Sequence, residues 1–283
     1  MQAMNPGGRG ERGSEQPMID VHSHILPMVD DGAEDIEEAI EIARIYEENG
    51  VEKAIATPHF IEGTNSSTKE KNSAILDRLN EALADNGINL RVYLGNEIYV
   101  TMDVLKYLKD GLISSLNSSR YLLIELPMLD IPLYIEQLIY QLLLKGYVPV
   151  IAHPERNARI VENPNILYDL ITKGALAQLN LPSLEGMYGE EVKSTGEILL
   201  KHNMIHFVGT DIHMPHGMAS KIKRSIEILK SFTDLETLDR ITNINSQCIL
   251  DNKPIEVDSP IQYKKQRSFL YFLKSKLNLG GDK

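Results

Sequence analysis

The stretch MIDVHSH (18–24) decides the fold class. Its apolar residues predict a buried strand, and the strand ends in His22 and His24. Because alternate residues of an extended strand point to the same side, both imidazoles are expected to face one point in space. The residues from Ala33 to Asn49 carry apolar side chains at helical spacing, and Gly50 predicts where the helix ends. The beginning of the domain is therefore a strand, a polar strand exit and a helix.

The same unit of strand and helix recurs along the chain. Six further strands are predicted: VEKAIAT (51–57), INLRVYLG (88–95), RYLLIEL (120–126), YVPVIAH (147–153), ALAQLNL (175–181) and MIHFVGT (204–210). Helical patterns lie between them; one begins near Lys69, with Ser66 and Ser67 as candidate N-caps, and helices near 218–232 and 235–250 close the domain. Seven units in series predict parallel strands with right-handed crossovers, arranged as a barrel or as an open doubly wound sheet.

Nearly every predicted strand ends in a side chain that can bind a cation or a proton. After His22 and His24, these residues are His59, Glu97, Glu125, His153, Asn180, Asp211 and His213. In β/α barrels the functional site is assembled at the carboxyl ends of several strands at once. This distribution favours the barrel over the open sheet.

A metal cluster explains these residues together. A single histidine after a strand is more often a capping or core residue than a ligand, and Glu125 in an apolar strand is costly to bury without a partner. Taken one by one, these residues each need a separate explanation, whereas bound cations account for all of them. The H-x-H at 22–24 and the D-x-H at 211–213 have the spacing that lets two side chains of one strand reach one ion.

Composition excludes several other classes of protein. The 283 residues carry a formal net charge of −11, which argues against generic nucleic-acid binding. No apolar run approaches the roughly 20 residues of a membrane span, and residues 1–17 lack the apolar core of a signal peptide and are expected to be a disordered extension. The single cysteine, Cys248, excludes an intrachain disulfide and fits a reducing compartment. We therefore expect a cytoplasmic protein.

Six segments are specific enough to indicate a family. They are DVHSHILPMVDDG (20–32), ATPHF (56–60), GNEIY (95–99), LIELP (123–127), VIAHPERN (150–157) and the D-x-H at 211–213. In this order they resemble the polymerase and histidinol phosphatase (PHP) superfamily, and more narrowly its manganese-dependent protein-tyrosine phosphatases of Gram-positive bacteria. The resemblance runs from about Met18 to Leu250. It implies a distorted seven-stranded, TIM-like (β/α) barrel with a three-metal site at the carboxyl ends of the strands.

The resemblance also implies which residues bind which ion. The three expected ligand sets are His22, His24, Glu97 and Asp211 for the first metal; the bridging Glu97 with Glu125 and His153 for the second; and Asp31, His59 and His213 for the third. It implies Mn²⁺, although ligands of this kind also suit Fe, Zn or Co.

Substrate contacts follow from the same resemblance. Arg156 matches the arginine after the fifth strand, whose planar fork complements phosphate oxygens, and Arg156, Asp211 and His213 are the expected catalytic residues. Related enzymes often carry a second arginine soon after the D-x-H, whereas this chain reads MPHGMASK (214–221). His216 or Lys221 is expected to replace this arginine. His216 is the expected substrate-binding residue.

The implied activity is metal-dependent hydrolysis of phosphotyrosine on proteins. The implied substrate is a membrane-associated tyrosine kinase that controls capsule or exopolysaccharide synthesis. Cysteine-dependent phosphatases need an arginine six positions after the cysteine, and here Pro254 follows Cys248 at that distance. Two alternatives stay open: a small-molecule phosphoesterase of the histidinol phosphatase type, and a catalytically silent regulator that docks to a kinase.

The expected domain covers residues 18–262, and a basic, apolar tail follows it at 263–283. The tail carries six Lys and Arg against one acidic residue and contains the apolar run FLYFL (269–273). Two interpretations apply: a helix packed on the barrel, or a peripheral contact with the inner face of a membrane, in which apolar side chains enter the lipid interface and lysines meet anionic headgroups.

Overall fold

The computed structural model describes residues 17–64 and 68–264. Its strands are β1 (Met18–Ser23), β2 (Val51–Ala56), β3 (His59–Phe60), β4 (Arg91–Leu94), β5 (Glu97–Tyr99), β6 (Tyr121–Glu125), β7 (Val148–Ala152), β8 (Leu176–Asn180) and β9 (Phe207–Gly209). Its α-helices are α1 (Ile36–Glu48), α2 (Lys69–Asp85), α3 (Val104–Lys109), α4 (Ile135–Leu144), α5 (Ala158–Glu162), α6 (Asn165–Thr172), α7 (Leu181–Leu184), α8 (Glu190–Lys201), α9 (Met218–Phe232), α10 (Leu235–Asp239) and α11 (Asn245–Leu250).

All strand pairs within the described residues are parallel, in two sheets. One sheet has the order β1-β2-β4 and the other the order β3-β5-β6-β7-β8-β9. The prediction of seven strands is therefore not confirmed, because a further short strand, β3 or β5, follows each of the second and third predicted strands after a break. Thr57-Pro58 separates β2 from β3, since proline cannot donate to a strand ladder, and Gly95-Asn96 separates β4 from β5. The parallel α/β character, with helices between the strands, is as predicted.

Hydrogen bonds join the two sheets into one curled surface. The β9 end meets β1 through a bridge between Ser23 and Ile212, and the Asp211 amide donates to the His22 carbonyl at 2.9 Å. On the other side, the amide of Glu97, the first residue of β5, lies 3.2 Å from the carbonyls of Thr57 and Pro58, which follow β2, and donates to them. The carboxyl ends of all the strands consequently surround one region.

The helices cover the outside of this surface with amphipathic faces. In α1, Asp35 caps the N-terminus by accepting from the Glu38 amide, while Ile42 and Tyr46 are buried in the core. The predicted helix at 235–250 is continuous but contains a π-helical turn at Arg240–Ile244, a register change that residue spacing alone does not reveal. The N-cap of α2 is Thr68; the candidates Ser66 and Ser67 lie outside the described residues.

Two terminal predictions fall largely outside the described residues. Residues 1–16 of the predicted disordered extension are not described, and of the tail only Tyr263 and Lys264 are. Among the helices that the structure does describe, none is long and apolar enough to cross a membrane.

Candidate metal centre

Four buried side chains form the first group of convergent ligand atoms. His22 and His24 come from β1, Glu97 begins β5, and Asp211 follows β9. Their ligand atoms all lie within 4.8 Å of one another. Glu97 Oε2 is 3.2 Å from His22 Nε2, and Asp211 Oδ1 is 3.3 Å from both His22 Nε2 and His24 Nε2. The structure thus brings together the four residues expected for the first metal.

The hydrogen bonds behind the two imidazoles indicate that this group is built for a cation. His22 Nδ1 lies 2.9 Å from Gln178 Oε1, and His24 Nδ1 lies 2.7 Å from Asp30 Oδ2. Because both of these oxygens are acceptors, each Nδ1 carries the proton and each Nε2 of the neutral ring presents a lone pair. The two Nε2 atoms are only 3.2 Å apart, so their lone pairs repel unless a cation or a proton lies between them. Such outer carboxylate and amide partners are the usual orienters of metal-binding histidines.

The charges of the cluster support the same conclusion. Burial lowers the pKa of His22, but the Glu97 and Asp211 carboxylates outweigh burial and raise that pKa to about 9. Burial raises the pKa of Glu97, yet the surrounding imidazoles, His22 first, hold it well below its usual range. The pKa of Glu125 is raised by burial and by the nearby Glu97 charge. In the absence of metal, the cluster must take up protons to balance its carboxylates.

A second group of ligand atoms shares Glu97. It comprises His59, Glu97 and Glu125, with His59 Nδ1 2.9 Å from Glu97 Oε2 and 4.0 Å from Glu125 Oε2. The family resemblance implied His153 as the third residue of this set and placed His59 in the third set. His153 Nε2 is close by, 2.8 Å from Glu97 Oε1, and forms a hydrogen bond with that oxygen directly. In the structure, His59 belongs to both the second and the third group of ligand atoms.

The third group lies nearest the surface. His24, Asp31, His59 and His213 converge there, with Asp31 Oδ1 3.5 Å from His59 Nε2 and 3.4 Å from His213 Nε2. His213 Nδ1 donates to the Asp211 carbonyl at 2.9 Å, which leaves its Nε2 lone pair directed at this group. The three expected residues, Asp31, His59 and His213, are therefore neighbours, and His24 joins them.

Two of these residues have backbone conformations that are rare for non-glycine residues. His153 has φ 28° and Asp211 has φ 51°. Such strain persists only where the surrounding structure enforces it, and it concentrates at functional sites. Close packing at the same place requires glycine at position 209, because a Cβ there would lie 2.7 Å from His22 Cβ and 2.8 Å from Gln178 Nε2.

Arg156 lies beside the first group. Its Nη1 donates to Asp211 Oδ2 at 2.7 Å, and the Asn180 amide donates to the same oxygen at 2.7 Å. The guanidinium lies over the ring of Tyr188, 4.2 Å from its centroid. Since an arginine carries five N–H donors in a planar fork, Arg156 keeps donors for an anion next to the cluster.

A cavity of about 600 Å³ opens beside the third group. Asp31, His213 and His216 line it, and so does Arg44 from α1. Of the two residues expected to replace the second arginine, His216 therefore faces the candidate site, whereas Lys221 on α9 is not among the lining residues. Arg44 makes no ion pair within 4 Å among the described residues, and no local motif in the sequence indicated it.

Sequence reasoning also missed Asp30 and Gln178, which hold the rings of His24 and His22. A signal for Gln178 was present: Gln178 and Asn180 alternate on a buried strand and therefore point to the same side. They are hydrogen-bonded to each other at 3.0 Å. One chain of polar contacts therefore runs through His22, Gln178, Asn180, Asp211 and Arg156, and of these only Arg156 is partly exposed.

A curled parallel α/β fold with a cluster of histidine and carboxylate side chains at its carboxyl edge is that of a metal-dependent hydrolase. Residues 18–251 match the family described as capsular polysaccharide synthesis, CpsB/CapC. The chain belongs to this family.

Relatives of known structure and function agree with this assignment. Tyrosine-protein phosphatase YwqE of Bacillus subtilis is 39% identical over 255 residues, which is 90% of this chain and 100% of that protein. Tyrosine-protein phosphatase CpsB of Streptococcus pneumoniae is 32% identical over 217 residues, 75% of this chain and 89% of that protein. The crystal structure of YwqE, described as a metal-dependent tyrosine phosphatase, superimposes with a TM-score of 0.83 at 38% identity, covering 88% of this chain and 100% of that one.

Proposed function

We propose that this protein is a metal-dependent protein-tyrosine phosphatase that hydrolyses phosphotyrosine on protein substrates. The observation that carries the proposal is the pair of facing Nε2 lone pairs of His22 and His24, enclosed by Glu97 and Asp211. Without a cation these groups must take up protons to balance their charges, and the family's relatives are tyrosine phosphatases.

Nine residues would hold three ions in this proposal. The ligand set is His22, His24, Asp31, His59, Glu97, Glu125, His153, Asp211 and His213. We propose Mn²⁺ as the metal, with Fe, Zn or Co compatible with the same donors. When bound, such ions supply Lewis acidity: they polarise the phosphoryl group and lower the pKa of water.

The protein's own residues orient the substrate. We assign substrate binding to Arg156 and His216, and catalysis to Arg156, Asp211 and His213. Arg156 would contact the phosphoryl oxygens through the donors that Asp211 does not occupy. Asp211 links the two sides of the site, because its Oδ2 accepts from Arg156 and its carbonyl accepts from His213. His216 would contact the substrate from the cavity wall.

The cellular setting that we propose follows the family. The substrate would be a membrane-associated tyrosine kinase that controls capsule or exopolysaccharide synthesis, met by a cytoplasmic enzyme at the inner face of the membrane. We also propose a single domain at 18–262, with a disordered extension at 1–17 and a separate tail at 263–283. In this domain the two sheets together would form the wall of a distorted barrel.

One side-by-side assay tests the proposed activity. The purified protein is incubated with a phosphotyrosine peptide or with histidinol phosphate, each with Mn²⁺ and with chelator. We expect metal-dependent release of phosphate from the peptide at a higher kcat/KM. A preference for histidinol phosphate would indicate a small-molecule phosphoesterase, and inactivity on both would indicate a silent regulator.

A further inference from the structure

Five exposed apolar side chains lie in the segments that follow the carboxyl ends of the strands, on the edge of the sheet that carries the metal centre. These residues, which we call the apolar rim, are Met28, Leu129, Leu133, Met187 and Met214. Each lies in a segment that leads from the carboxyl end of a strand to the next long helix. Leu129 and Leu133 are 79% and 104% exposed. Single exposed apolar residues need no explanation, whereas a group around one site indicates an interaction surface.

The loop that carries the two leucines is held firmly in place. Asn157 Nδ2 donates to the carbonyls of Pro127 and Asp130, at 2.7 and 3.0 Å, and the Ala158 amide donates to the Met128 carbonyl at 2.8 Å. The Asn157 side-chain oxygen meanwhile caps α5. The loop is thereby fixed with its leucines in solvent, which lowers the entropic cost of binding through them.

The same contacts tie the rim to the reacting groups. Asn157 directly follows Arg156, so the leucine loop is anchored one residue from the expected phosphate contact. Met187 is adjacent to Tyr188, which packs on the Arg156 guanidinium. Met214 lines the cavity beside Asp31 and the third ligand group. The rim is thus linked to Arg156 through Asn157 and Tyr188, and to the third ligand group through Met214.

We infer that the apolar rim binds the residues flanking the phosphotyrosine, and that the enzyme prefers an extended segment with apolar side chains on either side of it. This inference rests on the proposed function and names the substrate class of the same site. In an extended segment every second side chain points to the same face, so apolar residues two positions before or after the phosphotyrosine face the enzyme with it and can contact Leu129 and Leu133.

Two other partners, a second copy of this chain and an anionic lipid surface, fit the apolar rim less well. A stable dimer interface uses roughly 20–30 residues from each partner, far more than the five scattered residues of the rim. An anionic lipid surface would approach the acidic side chains of Glu34, Glu38 and Glu41, which line the cavity next to Met214, and the like charges would repel. A transient contact with substrate is consistent with both observations.

The test compares a rim variant with a matched surface variant. The double variant Leu129→Ser/Leu133→Ser removes the two leucines, and Leu144→Ser removes a leucine of similar exposure (66%) from the far end of α4. The substrates are a phosphotyrosine peptide with leucines on both sides, the same peptide with serines in their place, and p-nitrophenyl phosphate. The double variant is expected to lower kcat/KM about tenfold for the leucine peptide, with the other two substrates within about twofold and Leu144→Ser unchanged.

Three other outcomes overturn the inference. Equal loss on all three substrates means that the loop supports the catalytic centre itself, and no loss on any means that the rim does not bind substrate. A rim variant that abolishes dimer formation or sedimentation with anionic vesicles while leaving peptide kinetics unchanged assigns the surface to those partners. Wild-type protein that cleaves p-nitrophenyl phosphate but neither peptide contradicts the proposed function instead.

Discussion

At the scale of single residues, the site depends as much on the groups behind the ligands as on the ligands. Gln178 accepts from His22 Nδ1, and its amide holds Asn180, which in turn contacts Asp211. An imidazole with its Nδ1 proton fixed in this way presents its Nε2 lone pair without reorganising. Removing such an orienting partner typically lowers metal affinity by about 10–100-fold.

Substitution of Gln178 should therefore weaken metal binding without removing a ligand. We expect Gln178→Leu to lower Mn²⁺ affinity by about 10–100-fold, measured by titration calorimetry on the metal-stripped protein. Gln137→Leu, on the exposed face of α4, serves as the control and should bind Mn²⁺ as the wild type does. Equal affinities for the two variants would show that Gln178 does not orient His22.

Substitutions of Glu97 and of Arg156 should have different effects, the first on metal content and the second on turnover. Glu97 belongs to two ligand groups, so Glu97→Ala is expected to lose metal from both of them. Arg156→Ala should keep its full metal content, because Arg156 contacts Asp211 rather than an ion, but its kcat/KM should fall by about 10²–10³-fold, as for the loss of one charged transition-state contact. Metal analysis of both purified variants decides this; comparable metal loss in Arg156→Ala would refute the assigned roles.

At the scale of elements, His206 connects β8 to the C-terminal helices. The Ala177 amide donates to its Nδ1 at 3.1 Å, and the Asn245 side chain donates to its carbonyl at 2.8 Å. An Nδ1 that accepts must be unprotonated. Burial, followed by the nearby Arg240 charge and only partly offset by the Ala177 contact and by Asp258, lowers the pKa of His206 from 6.5 to about 4.

This pKa predicts a specific loss of stability in acid. Between pH 6.5 and 4 the unfolded chain protonates His206 while the folded protein does not, so the stability present above pH 6.5 falls as the pH falls. At about 1.4 kcal/mol per pH unit, the wild type should lose about 2–3 kcal/mol more unfolding free energy from pH 7 to 4.5 than His206→Gln does. Urea unfolding at the two pH values measures this, with His202→Gln, at a helix end, as the control. Identical pH dependence of His206→Gln and wild type would contradict the assignment.

Whether an element could be predicted from the sequence depended on whether local patterns or contacts between distant segments determine it. The strand exits at His22, Asp211 and His213 were visible because apolar runs and the residues after them are local patterns. The break at Thr57-Pro58 had a local signal in the proline, whereas the break at Gly95-Asn96 and the short strands β3 and β5 depend on how neighbouring strands pair around the curled sheet. The π-helical turn at Arg240–Ile244 and the contact between Arg156 and Tyr188 likewise arise from packing between distant segments, which leaves no spacing to detect.

At the scale of the whole molecule, the metal centre is also a structural junction. Its expected ligands come from β1, β3, β5, β6, β7 and β9 or the residues that follow these strands, so ions there would tie both sheets together. Without cations, Glu97, Glu125 and Asp211 lie close enough to repel one another or to take up protons. Ligands that bind only the folded state stabilise it by mass action. Metal binding, stability and activity should therefore change together.

The most direct test of this account is chelation with the metal content verified. Protein stripped until no transition metal is detected by mass spectrometry is assayed on a phosphotyrosine peptide and melted in parallel, then reconstituted with Mn²⁺. The account predicts that stripping abolishes phosphate release and lowers the melting temperature, and that about three Mn²⁺ per chain restore both. Phosphate release that persists in the verified metal-free protein would contradict it.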